Sequence, residues 1–182
     1  MKVETTPLDG LLVIEPRVHR DERGFFAETW QSERYRAAGI EGHFVQDNHS
    51  RSQQGILRGL HFQLERPQGK LVCCASGRIF DVAVDVRKSS TTFGRWYGLE
   101  LSDQNHKQLW VPPGFAHGFY VLSEVADVHY KCTEYYDRES ERALLWSDTT
   151  LAIDWPLCEG VATILSEKDR VACTFADLEC FP

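Results

Sequence analysis

The chain has 182 residues, of which 42% are hydrophobic and 26% charged, and its formal net charge is −7 at pH 7. This length and balance fit one folded globular domain, and the negative charge without any basic run argues against nucleic acid as a partner. The start "MKVETTPLDG" has no apolar run, and no stretch approaches the ~20 apolar residues of a membrane span, so we expect a cytoplasmic protein with no membrane association.

Short strand-like segments separated by turn residues dominate the sequence. In chain order, strands are predicted at 11–14, 25–30, 57–64, 70–75, 78–86, 96–102, 107–112, 117–122, 126–136 and 143–146. In the segment "FDVAVDV" (80–86), apolar residues at even positions alternate with Asp81, Ala83 and Asp85. This alternation predicts a half-buried strand.

Helix signals occur in only two places. The segment 32–39 has Ser32 as a predicted N-cap and Gly39 as a predicted stop. The segment 166–178 opens with Ser166 and Asp169 at the spacing of a capping box. Many strands and few helices predict an all-β fold, a sandwich or barrel with the jelly roll as the leading candidate, in a single domain over 1–182 with a short helical C-terminal extension.

The stretch "LRGLH" (57–61) contains an irregularity. Strict alternation would turn Arg58 and His61 to opposite faces of a strand. Gly59 lies between them, and a glycine inside a strand often marks a β-bulge. One extra residue there would bring both side chains to the same side, so we predict a bulge at Gly59.

A second stretch, "LWVPPGFAHGF" (109–119), contains P-x-G-x-x-H ending at His117, and it resembles the second signature of the cupin jelly-roll superfamily. The first cupin signature contains H-x-H followed by a glutamate, but His61 is followed here by Phe62 and Gln63. Lys70 lies just after the place of the glutamate. Since a metal on imidazole and carboxylate needs about three protein ligands, we predict a metal-free site in which a lysine stabilises an oxyanion.

The chain resembles the dTDP-4-dehydrorhamnose 3,5-epimerase family, metal-free cupins, over nearly its whole length. The resemblance is carried by segments at 20–30, 46–50, 56–63, 67–72, 77–87, 93–102, 108–124, 129–137, 153–157 and 165–169. It implies a cofactor-free enzyme that inverts C3 and C5 of dTDP-4-dehydro-6-deoxy-D-glucose to give dTDP-4-dehydro-L-rhamnose.

Inversion next to a ketone requires a base on one face of the sugar, an acid on the other, and a cation or donor at the enolate oxygen. The resemblance implies that His61 is the base, Tyr130 the acid and Lys70 the enolate stabiliser, while Asp169 orients His61. The sequence pattern alone allows a structural role for each of these residues. His61 could be an interior histidine and Tyr130 a packed tyrosine, while Lys70 could be a surface lysine and Asp169 part of a helix cap.

The resemblance also implies a set of substrate-binding residues. They are Arg23, Phe26, Glu28, Gln46, Asp47, Asn48, Arg58, His117, Tyr136, Glu141 and Lys168. Within this set, Phe26 and Tyr136 are candidates for stacking on the thymine, and Glu141 has an alternative reading as a surface charge. In the family, N-terminal strands cross to a second subunit, which implies a homodimer whose partner supplies Arg23 and Glu28.

Two alternatives stay open at this point. The segments "CCASG" (73–77) and "ACTFADLECF" (172–181) differ from the family pattern and leave room for an epimerase that inverts only C3 or only C5 of another dTDP-4-keto-deoxysugar. A catalytically silent cupin that binds sugar nucleotides is the other alternative, and it would require a broken set of base and acid.

Overall fold

The computed structural model describes residues 1–182 and consists mostly of strands. The thirteen strands are β1 (Lys2–Thr5), β2 (Leu12–Glu15), β3 (Val18–Asp21), β4 (Gly24–Ala27), β5 (Gln46–Gln53), β6 (Leu57–Gln63), β7 (Lys70–Ser76), β8 (Arg78–Asp85), β9 (Trp96–Ser102), β10 (Gln108–Val111), β11 (Phe115–Val121), β12 (Val125–Cys132) and β13 (Glu141–Ala143). Two short helices, α1 (Ser32–Ala37) and α2 (Glu167–Arg170), complete the fold. With six and four residues, both helices are too short to span a bilayer.

Two antiparallel sheets form the body of the molecule. One has six strands in the order β1-β2-β10-β7-β12-β5, and the other has five in the order β13-β6-β11-β8-β9. Strands β3 and β4 form a separate hairpin. Apolar side chains of both sheets meet in a shared core, for example Val72, Leu109 and Val128 from one sheet and Ile79 and Phe119 from the other. The all-β sandwich predicted from the sequence is therefore confirmed.

A second apolar cluster covers the outer face of the five-stranded sheet. Leu151, Trp155 and Leu178 of the C-terminal segment pack there against residues of the sheet such as Val82 and Tyr120. Strand β8 is consequently buried on both faces, because one face looks into the sandwich and the other lies under the C-terminal segment.

The prediction of a half-buried strand over "FDVAVDV" is therefore wrong, since Asp81 and Asp85 are both buried. Asp85 is compensated by neighbours that donate to it, with Arg87 Nη2, Ser90 Oγ and Thr92 Oγ1 at 2.7, 2.6 and 2.6 Å. Burial alone would raise the pKa of Asp85, but these hydrogen bonds lower it to about 2.

The helices differ from their predicted bounds. The cap of α1 is Gln31 rather than Ser32, since the Gln31 side chain accepts from the backbone N–H of Arg34 at 2.6 Å. Ser166 caps α2 as predicted. That helix ends at Arg170 instead of extending to 178, because the chain turns and Cys173 pairs with Leu144 beside β13.

Strand β5 was not predicted, and neither were β1 and β3. Every residue of β5, "QDNHSRSQ", is polar, so a search for alternating apolar residues passes over it. The burial pattern nevertheless alternates, with the even-numbered residues 46–52 facing inward. This polar strand forms the edge of the six-stranded sheet beside β12.

Candidate active site

A cavity of about 590 Å³ lies between the two sheets. Strands β5, β6, β7, β11 and β12 contribute to its wall, together with α2. Its polar lining consists of Ser50, Arg58, His61, Lys70, His117, Tyr130, Ser166, Lys168 and Asp169. The four residues proposed for catalysis therefore share one cavity, although they are up to 108 positions apart in the chain.

A β-bulge in β6 turns two of these side chains into the cavity. His61 lies opposite His117 on β11, but Arg58 lies opposite Phe119, so β6 has one residue more than β11 between the two pairs. Gly59 occupies the bulge with φ of +113°, and a Cβ there would lie 2.6 Å from a backbone Cα of β11. Only glycine fits this combination of conformation and contact. The bulge predicted at Gly59 is confirmed.

His61 forms a close pair with Asp169. His61 Nε2 lies 2.5 Å from Asp169 Oδ1, and Asp169 is 2% exposed. The Ser166 hydroxyl donates to the other carboxylate oxygen at 2.8 Å and accepts from the backbone N–H of Asp169 at 3.2 Å. Burial alone would raise the pKa of Asp169, but the hydrogen bonds with His61 and Ser166 and the charge of His61 lower it. Asp169 is thus both part of the helix cap and the partner of the imidazole.

Lys70 brings a cation to the floor of the same cavity. Lys70 is only 9% exposed, and its Nζ donates to the backbone carbonyl of His61 at 3.3 Å. Burial lowers the pKa of Lys70 from its ordinary value. Lys70 forms no ion pair with a carboxylate of the protein, so its Nζ is free to approach an anionic oxygen in the cavity.

Tyr130 reaches the cavity from the other sheet. It lies on β12, whereas His61 lies on β6, so the two side chains enter one space from opposite sheets. Burial raises the pKa of Tyr130, which keeps the phenol protonated near neutral pH. The arrangement supplies a proton acceptor on one side of the cavity and a proton donor on the other.

His117 is held by a residue that sequence reasoning missed. Its Nε2 lies 2.9 Å from both carboxylate oxygens of Asp81, and Asp81 is fully buried. The alternation of apolar residues along 80–86 predicted that Asp81 faces solvent, but in the structure this face of the strand is covered. The available signal was an acidic residue inside an otherwise apolar strand, since a buried carboxylate needs a partner.

Several predicted binding residues surround a smaller neighbouring chamber of about 140 Å³. It is lined by His61, Lys70 and Tyr130 together with Gln46, Asn48, Tyr136 and Glu141. Glu141 accepts from Lys168 Nζ at 2.8 Å and from the Tyr136 hydroxyl at 3.2 Å. Because the two spaces share three lining residues, they adjoin each other, and together they are the candidate binding region. Tyr136 is 54% exposed at its rim.

Other predicted residues lie elsewhere. Asp47 points to the opposite face of β5, where Lys131 Nζ donates to it at 2.9 Å. Phe26 belongs to the exposed β3–β4 hairpin and is 71% exposed. Arg23 pairs with Asp21 in the same hairpin, and the nearby Glu28 pairs with Arg34. Within one chain, none of these residues lines the cavity.

The side chains of the fold do not assemble a metal site of the usual kind. No group of three or more histidine, cysteine, aspartate or glutamate residues is placed to hold a metal ion. The two cupin histidines, His61 and His117, instead each face a carboxylate.

Comparison with known proteins agrees with this geometry. The model of the family described as dTDP-4-dehydrorhamnose 3,5-epimerase matches residues 5–177. The chain belongs to this family. It is 51% identical to the dTDP-4-dehydrorhamnose 3,5-epimerase of Pseudomonas aeruginosa, over 100% of both chains.

Solved structures of sugar-nucleotide epimerases share the fold. The crystal structure of dTDP-6-deoxy-D-glucose-3,5-epimerase from Legionella pneumophila, in complex with dTDP-4-keto-L-rhamnose, has a TM-score of 0.94 and 52% identity, over 98% of this chain and 94% of that one. ChmJ, a 3'-monoepimerase from Streptomyces bikiniensis in complex with dTDP-quinovose, has a TM-score of 0.88 and 32% identity, over 94% and 86%. The cupin-type jelly roll is thus confirmed, and one of these similar structures is that of an enzyme named for inverting a single carbon.

Proposed function

We propose that the protein is a dTDP-4-dehydrorhamnose 3,5-epimerase, which inverts C3 and C5 of dTDP-4-dehydro-6-deoxy-D-glucose to give dTDP-4-dehydro-L-rhamnose. The observation that carries this proposal is the meeting of the His61–Asp169 pair, Lys70 and Tyr130 in one cavity. Membership of the family and the names of relatives about half identical over the full chain support it.

His61 acts as the general base in this reaction. It takes the proton from the carbon next to the C4 ketone, and the electron pair of the broken C–H bond moves to the ketone oxygen as an enolate. Because Nε2 faces Asp169, Nδ1 is the ring nitrogen left to accept the proton. The buried carboxylate of Asp169 then stabilises the imidazolium that forms.

Lys70 and Tyr130 complete the step. The ammonium of Lys70 stabilises the enolate oxygen. When the enolate collapses, Tyr130 donates its proton to the opposite face of the same carbon, and the configuration is inverted. Once His61 has released its proton to solvent and Tyr130 has regained one, the same sequence at the second carbon gives the product. No electron is gained or lost overall, so acid, base and cation suffice without a cofactor.

The binding assignments follow the shape of the region. Arg58, His117 and Lys168 line the cavity, and Gln46, Asn48 and Glu141 line or border the adjoining chamber. The exposed ring of Tyr136 at the rim is suited to stacking on the thymine. We assign the sugar to the cavity and the nucleotide to the region around Tyr136.

We further propose that one domain over 1–182 works as a homodimer in which the N-terminal strands reach into the partner's site. Arg23, Phe26 and Glu28 lie on or just after an exposed hairpin outside their own cavity, and Phe25 and Phe26 expose 59% and 71% of their surface. An exposed apolar pair of this kind is typical of an interface. An isologous dimer would place each hairpin at the other subunit's site.

Proton NMR in deuterated water tests the proposed function. The purified protein is incubated with dTDP-4-dehydro-6-deoxy-D-glucose, and exchange is expected at both H3 and H5, with or without a chelator. Exchange at one carbon would show a single-site epimerase, the activity named for the 32% identical ChmJ. Exchange at neither would leave a sugar-nucleotide-binding protein, and loss of exchange with the chelator would contradict the metal-free mechanism.

A further inference from the structure

The inward face of β5 is polar, whereas a strand that faces a hydrophobic core usually has apolar side chains on that face. Its inward residues are Gln46, Asn48, Ser50 and Ser52. Three of these side chains have partners in the protein. Gln46 Nε2 donates to Asn48 Oδ1 at 3.1 Å, and Ser52 Oγ accepts from Arg58 Nε at 3.0 Å. The row therefore serves the binding region rather than the hydrophobic core.

Ser50 is the exception in this row. Its Oγ is the one buried side-chain nitrogen or oxygen of the protein that has no hydrogen-bond partner. Proteins rarely retain such a group, because an unpaired buried hydroxyl costs free energy. Ser50 also lines the main cavity, together with Arg58, Tyr130 and His61. The residue that carries the unpaired hydroxyl thus lies in the wall of the cavity that we assign to the sugar.

We propose that Ser50 is a substrate-binding residue whose hydroxyl forms a hydrogen bond with an oxygen of the hexose. This inference rests on the proposed function. The hexose is favoured over the base because Ser50 shares its cavity with the groups that act on the sugar, His61, Lys70 and Tyr130. The chamber that contains Tyr136, assigned to the thymine, has no contribution from Ser50.

The test compares two ligands that differ only in the hexose, dTDP and dTDP-glucose. Their dissociation constants are measured by calorimetry for the wild type and Ser50→Ala. We expect the constant for dTDP-glucose to rise about 5-fold to 10-fold in the variant, the loss typical of one neutral hydrogen bond, and that for dTDP to change less than about 2-fold. Ser76→Ala, a change of an exposed serine in the same sheet, is the matched control.

Thermal unfolding without ligand separates binding from a structural role. Removing a buried hydroxyl that has no partner should leave the midpoint of Ser50→Ala unchanged or higher. A lower midpoint, or the same ratio of the two dissociation constants in variant and wild type, would overturn the proposal. Since dTDP-glucose has no ketone and does not react, this result is independent of whether the wild type exchanges H3 and H5.

Discussion

His61 and Tyr130 face one cavity but lie in different electrostatic environments. The buried Asp169 carboxylate beside His61 has a pKa below its ordinary value, so it is ionised at neutral pH and can hold the imidazole ring by accepting a hydrogen bond from Nε2–H. Burial raises the pKa of Tyr130, so its phenol stays neutral. Titratable groups whose environments differ in this way divide the roles of base and acid between them. This difference supports the proposal that His61 is the base and Tyr130 the acid.

Replacing the base should stop the reaction without unfolding the protein. In His61→Ala we expect exchange of H3 and H5 to fall by roughly 100-fold to 10,000-fold, the usual contribution of a general base. The affinity for dTDP should be retained, because His61 acts on the sugar. Exchange is followed by NMR and dTDP binding by calorimetry. His43→Ala, at an exposed histidine, is the control, and exchange persisting in His61→Ala would show that another group is the base.

Replacing the acid should separate exchange from inversion. In Tyr130→Phe, His61 can still remove a proton and return a deuteron to the same face, so deuterium enters without inversion. We expect product formation to fall several-fold more than deuterium incorporation, both measured in one NMR time course. Tyr135→Phe removes an exposed hydroxyl from the adjoining segment and should change neither. Equal losses of exchange and inversion would remove the assignment of Tyr130 as the acid.

Individual site residues were predictable from the sequence to different degrees. His61, Lys70, Tyr130 and Asp169 came from the resemblance, and the structure places them in one cavity. Asp81 was missed because alternation cannot show that both faces of a strand are covered.

At the scale of elements, the bulge at Gly59 determines which side chains of strand β6 face the cavity. The extra residue at Gly59 turns Arg58 and His61 to the same side, and the facing Gly118 allows the two backbones to approach. A Cβ on either glycine would lie 2.6 Å from backbone atoms of the other strand. The pair of glycines therefore fixes both the local packing of the strands and the direction of the His61 side chain.

Substituting Gly59 should damage stability and activity together. Gly59→Ala places a side chain at φ of +113° and against the backbone of β11, so we expect a loss of about 3 kcal/mol or more in the free energy of unfolding and a large drop in exchange rate. Gly160→Ala is the matched control, because Gly160 has φ of +73° with nothing within 4 Å. It should cost only about 1–2 kcal/mol. Denaturant unfolding measures both, and equal costs would show that the close approach of the strands is unimportant.

Element prediction was accurate where apolar alternation was strong. Strand β9 was predicted with the bounds that the structure shows, 96–102, whereas β5 was missed because its inward side chains are polar and serve the binding region. The segment 166–178 has a correct N-cap, but pairing of Cys173 beside β13 overrides its helical pattern. Local signals predicted the bounds of β9 and the cap of α2 correctly, whereas tertiary contacts decide where α2 ends.

At the scale of the whole molecule, the site of one chain lacks part of the predicted binding set. Arg23 and Glu28 lie by the β3–β4 hairpin and pair with Asp21 and Arg34 rather than with cavity residues. Only the family resemblance predicts that the binding residues are divided between two subunits, because no local sequence pattern indicates to which subunit's site a side chain contributes. If the proposed homodimer exchanges its hairpins, each site combines His61 of one chain with Arg23 of the other.

Mixing two inactive variants tests this arrangement. Coexpressed His61→Ala and Arg23→Ala chains form mixed dimers in which one site has both defects and the other has none. With random pairing half of the dimers are mixed, so about a quarter of the wild-type sites should be restored. Coexpressed His61→Ala and Lys70→Ala should restore nothing, because both residues line the same chain's cavity. Exchange in the first mixture no higher than that of either variant alone would show that the partner does not supply Arg23, and full activity of Arg23→Ala by itself would remove this residue from the site.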